Sequence, residues 1–290
     1  MNDTLQLVGE SIACLIQTAE VGEVSAAYQL GERYRLGSEV PLDNREALRW
    51  YRVAAEGGDA QAQNDLATML LNELGCERDP AQAVQWYRKS AEQGLAIAQY
   101  NLAKRYLHGD GIEQDYARAL EWFRRAAVQG EAWATCEMGT MYRLGQGVER
   151  NLLAAAEFHL IAAEKGDDVA ILGNLAEYRA ELEKMALSGS QMASLFLSRI
   201  YNRGFGVEKS QPMTWAWISW AKKRCSCDTD AETVREVTEA FTFYHCIPGE
   251  VRKEGERMLA ELRAAKSKQP VKPRRVSKSG AHRPQYRERQ

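Results

Sequence analysis

The chain has 290 residues, of which 45% are hydrophobic and only seven are prolines, and its formal net charge is −2 at pH 7. This length is ample for one continuous core, and because no run of 18 apolar residues occurs, we expect no transmembrane helix. The N-terminus has neither the basic region nor the long apolar stretch of a signal peptide. Six cysteines without regular pairing predict reduced thiols, as in a cytoplasmic protein.

The first segment, residues 1–23, predicts an N-terminal capping helix. Ala19 and Gly22 lie 36 residues before Ala55 and Gly58, so the segment is in step with the second helix of the repeats that follow.

Residues 24–166 contain four tandem 36-residue repeats. Small and apolar residues in the first half of a repeat fall at i, i+3, i+4 and i+7, and the second half shows the same spacing. Each repeat therefore predicts an amphipathic helix A, a loop and an amphipathic helix B. We expect an all-α fold, an α/α superhelical solenoid of helix-turn-helix repeats. The glycines that mark the period are Gly58, Gly94, Gly130 and Gly166.

Helix boundaries are indicated by capping residues in the loops. Asp43 with Glu46, and Asp79 with Gln82, have the spacing of an N-cap with a reciprocal partner three residues later. The period-marking glycines follow helix B, and we expect them in the left-handed C-terminal conformation.

The pattern changes after residue 166. Met138 and its counterpart Leu197 are 59 residues apart, which is 23 more than one repeat. Residues 167–189 therefore predict an inserted helix, and residues 190–226 predict a degenerate repeat. Residues 227–265 predict two C-terminal capping helices, broken at residues 247–249.

The last 25 residues hold nine Lys or Arg against one Glu, with prolines and serines and few residues to bury. Residues 266–290 therefore predict a disordered basic tail. Such a tail suits weak electrostatic contact with nucleic acid or anionic lipid, or it solubilises the chain or folds back on its acidic body. The central basic residues of the tail are Lys272, Arg274, Arg275 and Lys278.

The repeat motif resembles the Sel-one-like repeat (SLR) family of tetratricopeptide-type solenoids, strongly over residues 24–166 and more weakly over 190–225. The resemblance implies adaptor or scaffold proteins that bind other proteins, with some members linked to cell-wall fragments and no shared catalytic residues. The first copy of the motif consists of Leu30, Gly31, Tyr34, Gly37, Asp43, Ala47, Trp50, Tyr51, Ala54, Ala55 and Gly58.

The resemblance also implies that helix A lines the concave side of the solenoid, with its off-core positions directed into a groove. Mixed aromatic and charged side chains at these positions suit an extended peptide. The Trp and Tyr series on helix B is interpreted as core packing instead. The candidate partner-binding residues are Tyr28, Glu32, Arg35, Asn64, Thr68, Tyr100, Lys104, Trp133 and Arg143.

Two chemical alternatives are disfavoured by spacing. Cys225, Cys227, His245 and Cys246 have the ligand types of tetrahedral zinc, but their spacing favours helix-packing cysteines. Ser219 begins a Ser-x-x-Lys sequence on a repeat helix, without the companion motifs of acyl-enzymes. We expect no metal and no cofactor.

The sequence therefore predicts a non-enzymatic scaffold or adaptor that binds a protein or peptide in the concave groove. One alternative is an accessory protein that contacts nucleic acid or a membrane surface through the tail. A cell-wall-related hydrolase is a further alternative, suggested only by the family.

Overall fold

A computed structural model describes residues 12–166, 169–225, 229–243 and 247–267. These residues form fourteen α-helices and no strand, which confirms the predicted all-α solenoid. The helices are α1 Ile12–Glu20, α2 Val24–Leu36, α3 Asn44–Glu56, α4 Ala60–Leu71, α5 Pro80–Glu92, α6 Ala96–His108, α7 Tyr116–Val128, α8 Ala132–Leu144, α9 Leu152–Lys165, α10 Val169–Ser188, α11 Gln191–Arg203, α12 Gln211–Lys222, α13 Ala231–Phe243 and α14 Gly249–Ser267.

The helices stack as hairpins in chain order. Helices α2, α4, α6, α8 and α11 are the A helices, and α3, α5, α7, α9 and α12 are the B helices. Through the first four repeats, each A helix packs on its own B helix and on the helix before it in the chain, and α1 packs on α2. Within the described residues, no helix combines the length and apolar character needed to cross a bilayer.

Asp43 and Asp79 begin their B helices as predicted, and the other B helices begin at Asp115, Asn151 and Ser210. Asp43 accepts hydrogen bonds from the N–H groups of Arg45 and Glu46, and Asp79 accepts one from Gln82. The predicted reciprocal bond is replaced by a bond across the loop, because the Asp43 N–H donates to the Tyr34 carbonyl at 3.0 Å. The same bond recurs in every repeat, so each loop is closed against the end of its own helix A.

Glycines in the A–B loops bring neighbouring repeats into backbone contact. Gly75 and Gly111 have positive φ, and a Cβ at Gly111 would lie 2.2 Å from the Pro80 carbonyl oxygen. A Cβ at Gly75 would lie 2.4 Å from the Asn44 carbonyl oxygen. Each loop therefore rests on the first turn of the preceding B helix, where no side chain fits.

Three of the four period-marking glycines are left-handed, with φ between 97° and 98°. Gly166 is the exception, because its φ of −145° and ψ of 132° are extended. The prediction was wrong there because α9 leads into the inserted helix α10 rather than directly into a helix A.

The apolar core consists of two main clusters. The first extends from Leu15 to Met141, and the second begins at Cys136 and continues through α9 to Leu259 on α14. The core therefore changes inside the fourth repeat, before the insertion begins. Trp50 is buried as expected, whereas Trp86 and Trp122 are only partly buried against the first cluster.

The C-terminal part departs from the repeat pattern. Helix α10 packs on α9 and α11, α13 packs on α11 and α12, and α14 packs mainly on α12. A Cβ at Gly255 of α14 would lie 2.2 Å from the Pro212 carbonyl oxygen, in the first turn of α12. The domain limits at 23, 166, 189, 226 and 265 stay predictions. Most of the predicted tail, residues 268–290, lies outside the described residues.

Candidate functional site

The candidate site is the side of the stack formed by α2, α4, α6 and α8, here called the A face. Hydrogen bonds between successive A helices hold it together. The Tyr28 hydroxyl donates to Asp65 Oδ2 at 3.2 Å and joins α2 to α4. The Asn101 amide donates to Asn64 Oδ1 at 3.0 Å and joins α4 to α6.

Asn64, a predicted contact residue, is hydrogen-bonded between successive helices of the A face. Its side chain is bound to Asp65 and Asn101, and the residue is only 6% exposed. Because the Asn64 side-chain amide is used in hydrogen bonds within the A face, little of its surface is exposed for a partner to contact. The prediction placed it by register alone, and register does not show which polar positions are covered by the next helix.

Sequence reasoning missed the polar series one position further along the A helices. Asp65 and Asn101 belong to this series, and burial raises the pKa of the Asp65 carboxyl. The available signal was their 36-residue spacing, because the series recurs as Gln29, Asp65, Asn101 and Glu137.

Glu32 and Arg35 form one connected group with Tyr51 at the N-terminal end of the A face. The Arg35 guanidinium donates to both Glu32 oxygens at 3.0 and 2.8 Å, and it also donates to the Tyr51 hydroxyl at 3.0 Å. Tyr51 in turn donates to Glu32. Hydrogen bonding from Arg35 lowers the pKa of Glu32, and burial raises the pKa of Tyr51. The two charges therefore neutralise each other.

A polar contact between helix A and helix B recurs along the stack. Thr68 lies 2.9 Å from the Tyr87 hydroxyl, and Thr140 lies 3.4 Å from His159 Nε2. The third repeat lacks this pair because Phe123 carries no hydroxyl. The residue that stands in register with Thr68 in this repeat is Lys104.

The third and fourth repeats have an aromatic and charged surface. The rings of Tyr100 and Phe123 are 5.8 Å apart, and Lys104 Nζ lies 5.5 Å from the Tyr100 ring centroid. Burial raises the pKa of Tyr100, and the nearby carboxylate of Glu137 raises it further. Thus Tyr100 and Lys104, both predicted contact residues, do lie together.

Exposed apolar side chains continue this surface onto α8. Trp133 and Ile97 are each 37% exposed and lie 36 residues apart, at the same register on successive A helices. Arg143 is partly exposed in the last turn of α8. The face therefore has an ion-paired N-terminal end and an aromatic C-terminal end, and the predicted residues Arg35 and Arg143 belong to opposite ends.

Two other candidate sites were considered from the sequence, the zinc-type residues and the Ser-x-x-Lys sequence. Cys227, His245 and Cys246 lie outside the described residues, and no metal-binding group of three His, Cys, Asp or Glu exists among the residues that are described. Ser219 is 7% exposed, and Lys222 Nζ lies 3.6 Å from the Phe241 ring in a cation–π contact. The tail residues Lys272, Arg274, Arg275 and Lys278 also lie outside the described part.

Comparisons with known proteins identify the repeat. The Sel1 repeat matches residues 24–59, 60–95, 96–131, 134–167 and 191–218. A search of curated proteins found no significant match.

Two solved structures share the fold. The first is c5321, a protective antigen of uropathogenic Escherichia coli with an SLR fold, at 31% identity and a TM-score of 0.56. The match covers 87% of this chain and 56% of that one, so this chain spans just over half of its length. The second is a Sel1 repeat protein from Oxalobacter formigenes, at 26% identity and a TM-score of 0.52, covering 88% and 93% of the two chains. The chain therefore belongs to the Sel1 repeat family, whose members are in general protein-interaction scaffolds.

Proposed function

We propose that the protein is a non-enzymatic cytoplasmic scaffold or adaptor that binds a protein or peptide along the concave groove lined by the A face. The observation that carries the proposal is the exposed pair Ile97 and Trp133, at matching positions of successive A helices beside Tyr100. Aromatic side chains on an otherwise polar face are the kind that anchor protein interfaces.

The A face is preorganised for binding. The bonds from Tyr28 to Asp65 and from Asn101 to Asn64 fix three successive A helices relative to one another. A partner therefore meets a surface that loses little conformational entropy when the complex forms. This supports recognition of an extended segment that contacts several repeats at once.

The test is affinity capture from native lysate with mass-spectrometric identification, using the wild-type chain and the variant Ile97→Ala, Trp133→Ala as baits. We expect the variant to lose the specific partner while its circular dichroism is unchanged. The matched control is Val53→Ala, Val128→Ala, which truncates two exposed apolar residues on B helices. Full retention of the partner by the A-face variant would contradict the proposal.

The basic tail supports a second, weaker contact. The tail carries nine basic residues against one acidic residue, whereas the whole chain has a net charge of −2. Such a segment raises encounter rates with an acidic partner, nucleic acid or anionic lipid. Truncation after residue 267 separates the two roles, because capture that survives truncation depends on the A face. Loss of all association would assign binding to the tail.

A further inference from the structure

In the two preceding repeats, the residue at the position of Glu137 is hydrogen-bonded to a residue of the neighbouring A helix. Residues 37 apart meet there, because Tyr28 donates to Asp65 and Asn101 donates to Asn64. The next pair in this series is Tyr100 and Glu137. Asp65 accepts from both Tyr28 and Asn64, whereas the described residues supply the Glu137 carboxylate with no hydrogen bond or ion pair.

This carboxylate is partly buried, and burial raises the pKa of Glu137. A desolvated carboxylate without a partner is unfavourable, so a ligand that supplies a hydrogen-bonded cation would gain from the contact. The charges of Lys104 and Glu131 also bear on the site, since Lys104 lowers the pKa of Glu137 and Glu131 raises the pKa of Tyr100. Arg105 also lowers the pKa of Tyr100, but its guanidinium is ion-paired with Asp110. Lys104 therefore faces the two carboxylates, and the local balance is negative.

Apolar and aromatic side chains occupy neighbouring positions on the same face. Trp133 precedes Glu137 by one helical turn and lies on the same face of α8. Ile97 and Tyr100 are likewise one turn apart on the neighbouring helix α6. The long stem of a lysine or arginine side chain packs on such surfaces while its cation contacts an indole face and a carboxylate.

We propose that Trp133, Tyr100 and Glu137 form a binding site for one lysine or arginine side chain of an extended segment in a partner protein. This inference rests on the proposed function and specifies the chemistry of the partner. The apolar neighbours of that basic residue pack on Ile97. Charge complementarity to Glu137 selects a basic residue. The exposed side chains of Ile97 and Trp133 favour an apolar residue next to it in the segment.

The test uses capped pentapeptides of sequence Ser-Leu-X-Leu-Ser, in which X is Lys, Arg, Gln or Glu. Binding to the full chain is followed by NMR of the tryptophan indole N–H signals, with the Trp133 signal assigned from Trp133→Phe. We expect the Lys and Arg peptides to shift the Trp133 signal and to bind about tenfold more tightly than the Glu peptide. Equal affinity for the Lys and Glu peptides, or an unmoved Trp133 signal, would overturn the proposal.

A charge-neutralising variant locates the cation. Glu137→Gln should weaken Lys-peptide binding about fivefold and leave Gln-peptide binding unchanged. The matched control, Glu92→Gln, makes the same change on an exposed B-helix position and should have no effect. If Glu137→Gln leaves Lys-peptide binding unchanged, the cation lies elsewhere and the proposal is wrong.

Two further outcomes show how the cation site relates to the proposed function and to the chain's own tail. If A-face capture of a partner depends on Ile97 and Trp133 but the Lys peptide does not bind, the proposed function stands and the cation site falls. If truncation after residue 267 increases Lys-peptide affinity tenfold or more, the chain's own tail fills the site. That result would overturn the assignment to a partner segment.

Discussion

The first turn of a B helix is contacted differently in the two halves of the molecule. In the four-repeat stack, a left-handed loop glycine such as Gly111 rests on it. At α12 the same place is taken by Gly255, a glycine inside helix α14. Close backbone contact at this turn therefore persists after the repeat pattern has ended, although another element supplies it.

The A face also differs between the two halves. Among the described residues no helix outside the repeats packs on α2, α4 or α6 apart from α1 on α2, whereas α13 packs against α11. A small cavity of about 150 Å³ remains between these helices, lined by Leu195 and Arg199 on one side and Glu236 on the other. These α11 residues stand in register with Tyr28 and Glu32, so the face available to a partner ends before the fifth repeat.

The largest effect is expected where backbone meets backbone. Gly111→Ala and Gly255→Ala each place a Cβ 2.2 Å from a carbonyl oxygen, so each should lower the free energy of unfolding by about 3 kcal/mol or more. Urea denaturation followed by circular dichroism measures the loss.

Gly94→Ala is the control for these two variants. Its φ of 97° is strained for alanine, but nothing lies within 4 Å of its Cβ position, so the loss should be about 1 kcal/mol. Similar losses for Gly111 and Gly94 would show that conformation, and not contact between repeats, explains the loop glycines. A small loss at Gly255 would break the parallel between the halves.

A pH-dependent effect is expected at the point where the core changes cluster. Burial, assisted by the charge of Arg143, lowers the pKa of His159 from 6.5 to about 4. Between these values the unfolded chain binds more protons than the folded chain, so stability falls as pH falls from about 6.5 to about 4. The contribution of His159 to this loss reaches about 3 kcal/mol.

His159→Tyr isolates that contribution, because Tyr51 and Tyr87 occupy the same position in the first two repeats. Denaturation curves of both chains at pH 7 and pH 4.5 give the difference. The tyrosine variant should lose less stability at the lower pH. Parallel losses in the two chains would mean that His159 is not the titrating group.

A smaller effect is expected from the bonds between A helices. Asn64→Ala leaves Asn101 and Asp65 without one partner each, which should cost about 1 to 2 kcal/mol. Asn72→Ala is the matched control, because that exposed side chain bonds only to the Thr68 carbonyl. If both variants lose the same amount in urea denaturation, the A helices do not depend on this series.

The smallest expected effect is a gain in stability. Glu73 has φ of 58° at a position where other repeats have glycines such as Gly37 and Gly109. Glu73→Gly relieves left-handed strain but makes the unfolded chain more flexible, so we expect a net stabilisation of about 0.5 kcal/mol. Glu77→Gly, in the same loop without positive φ, should destabilise instead. A loss at Glu73 would show that glycine is not needed to end α4.

Much of the fold could be predicted because every repeat has the same sequence pattern. The N-caps at Asp43 and Asp79 and the turn at Gly94 depend on local spacing, which sequence shows directly. Gly166 was misread because its conformation depends on the helix that follows. Gly255 gave no signal, since its contact at Pro212 is set by how α14 packs.

The candidate site was predictable in outline but not in detail. Register placed Tyr100, Lys104 and Trp133 on the A face, and the structure brings Tyr100 and Lys104 together. The same register could not show that Asn64 is covered, or that the described residues supply Glu137 with no hydrogen bond. Those properties arise from contacts between successive helices, which a single repeat does not contain.

Helix α14 has a consequence for the length of the array. By seating Gly255 on Pro212, it occupies the place where the loop of a sixth hairpin would dock. We therefore expect α14 to prevent a further hairpin, from this chain or from a second molecule, from stacking on α12.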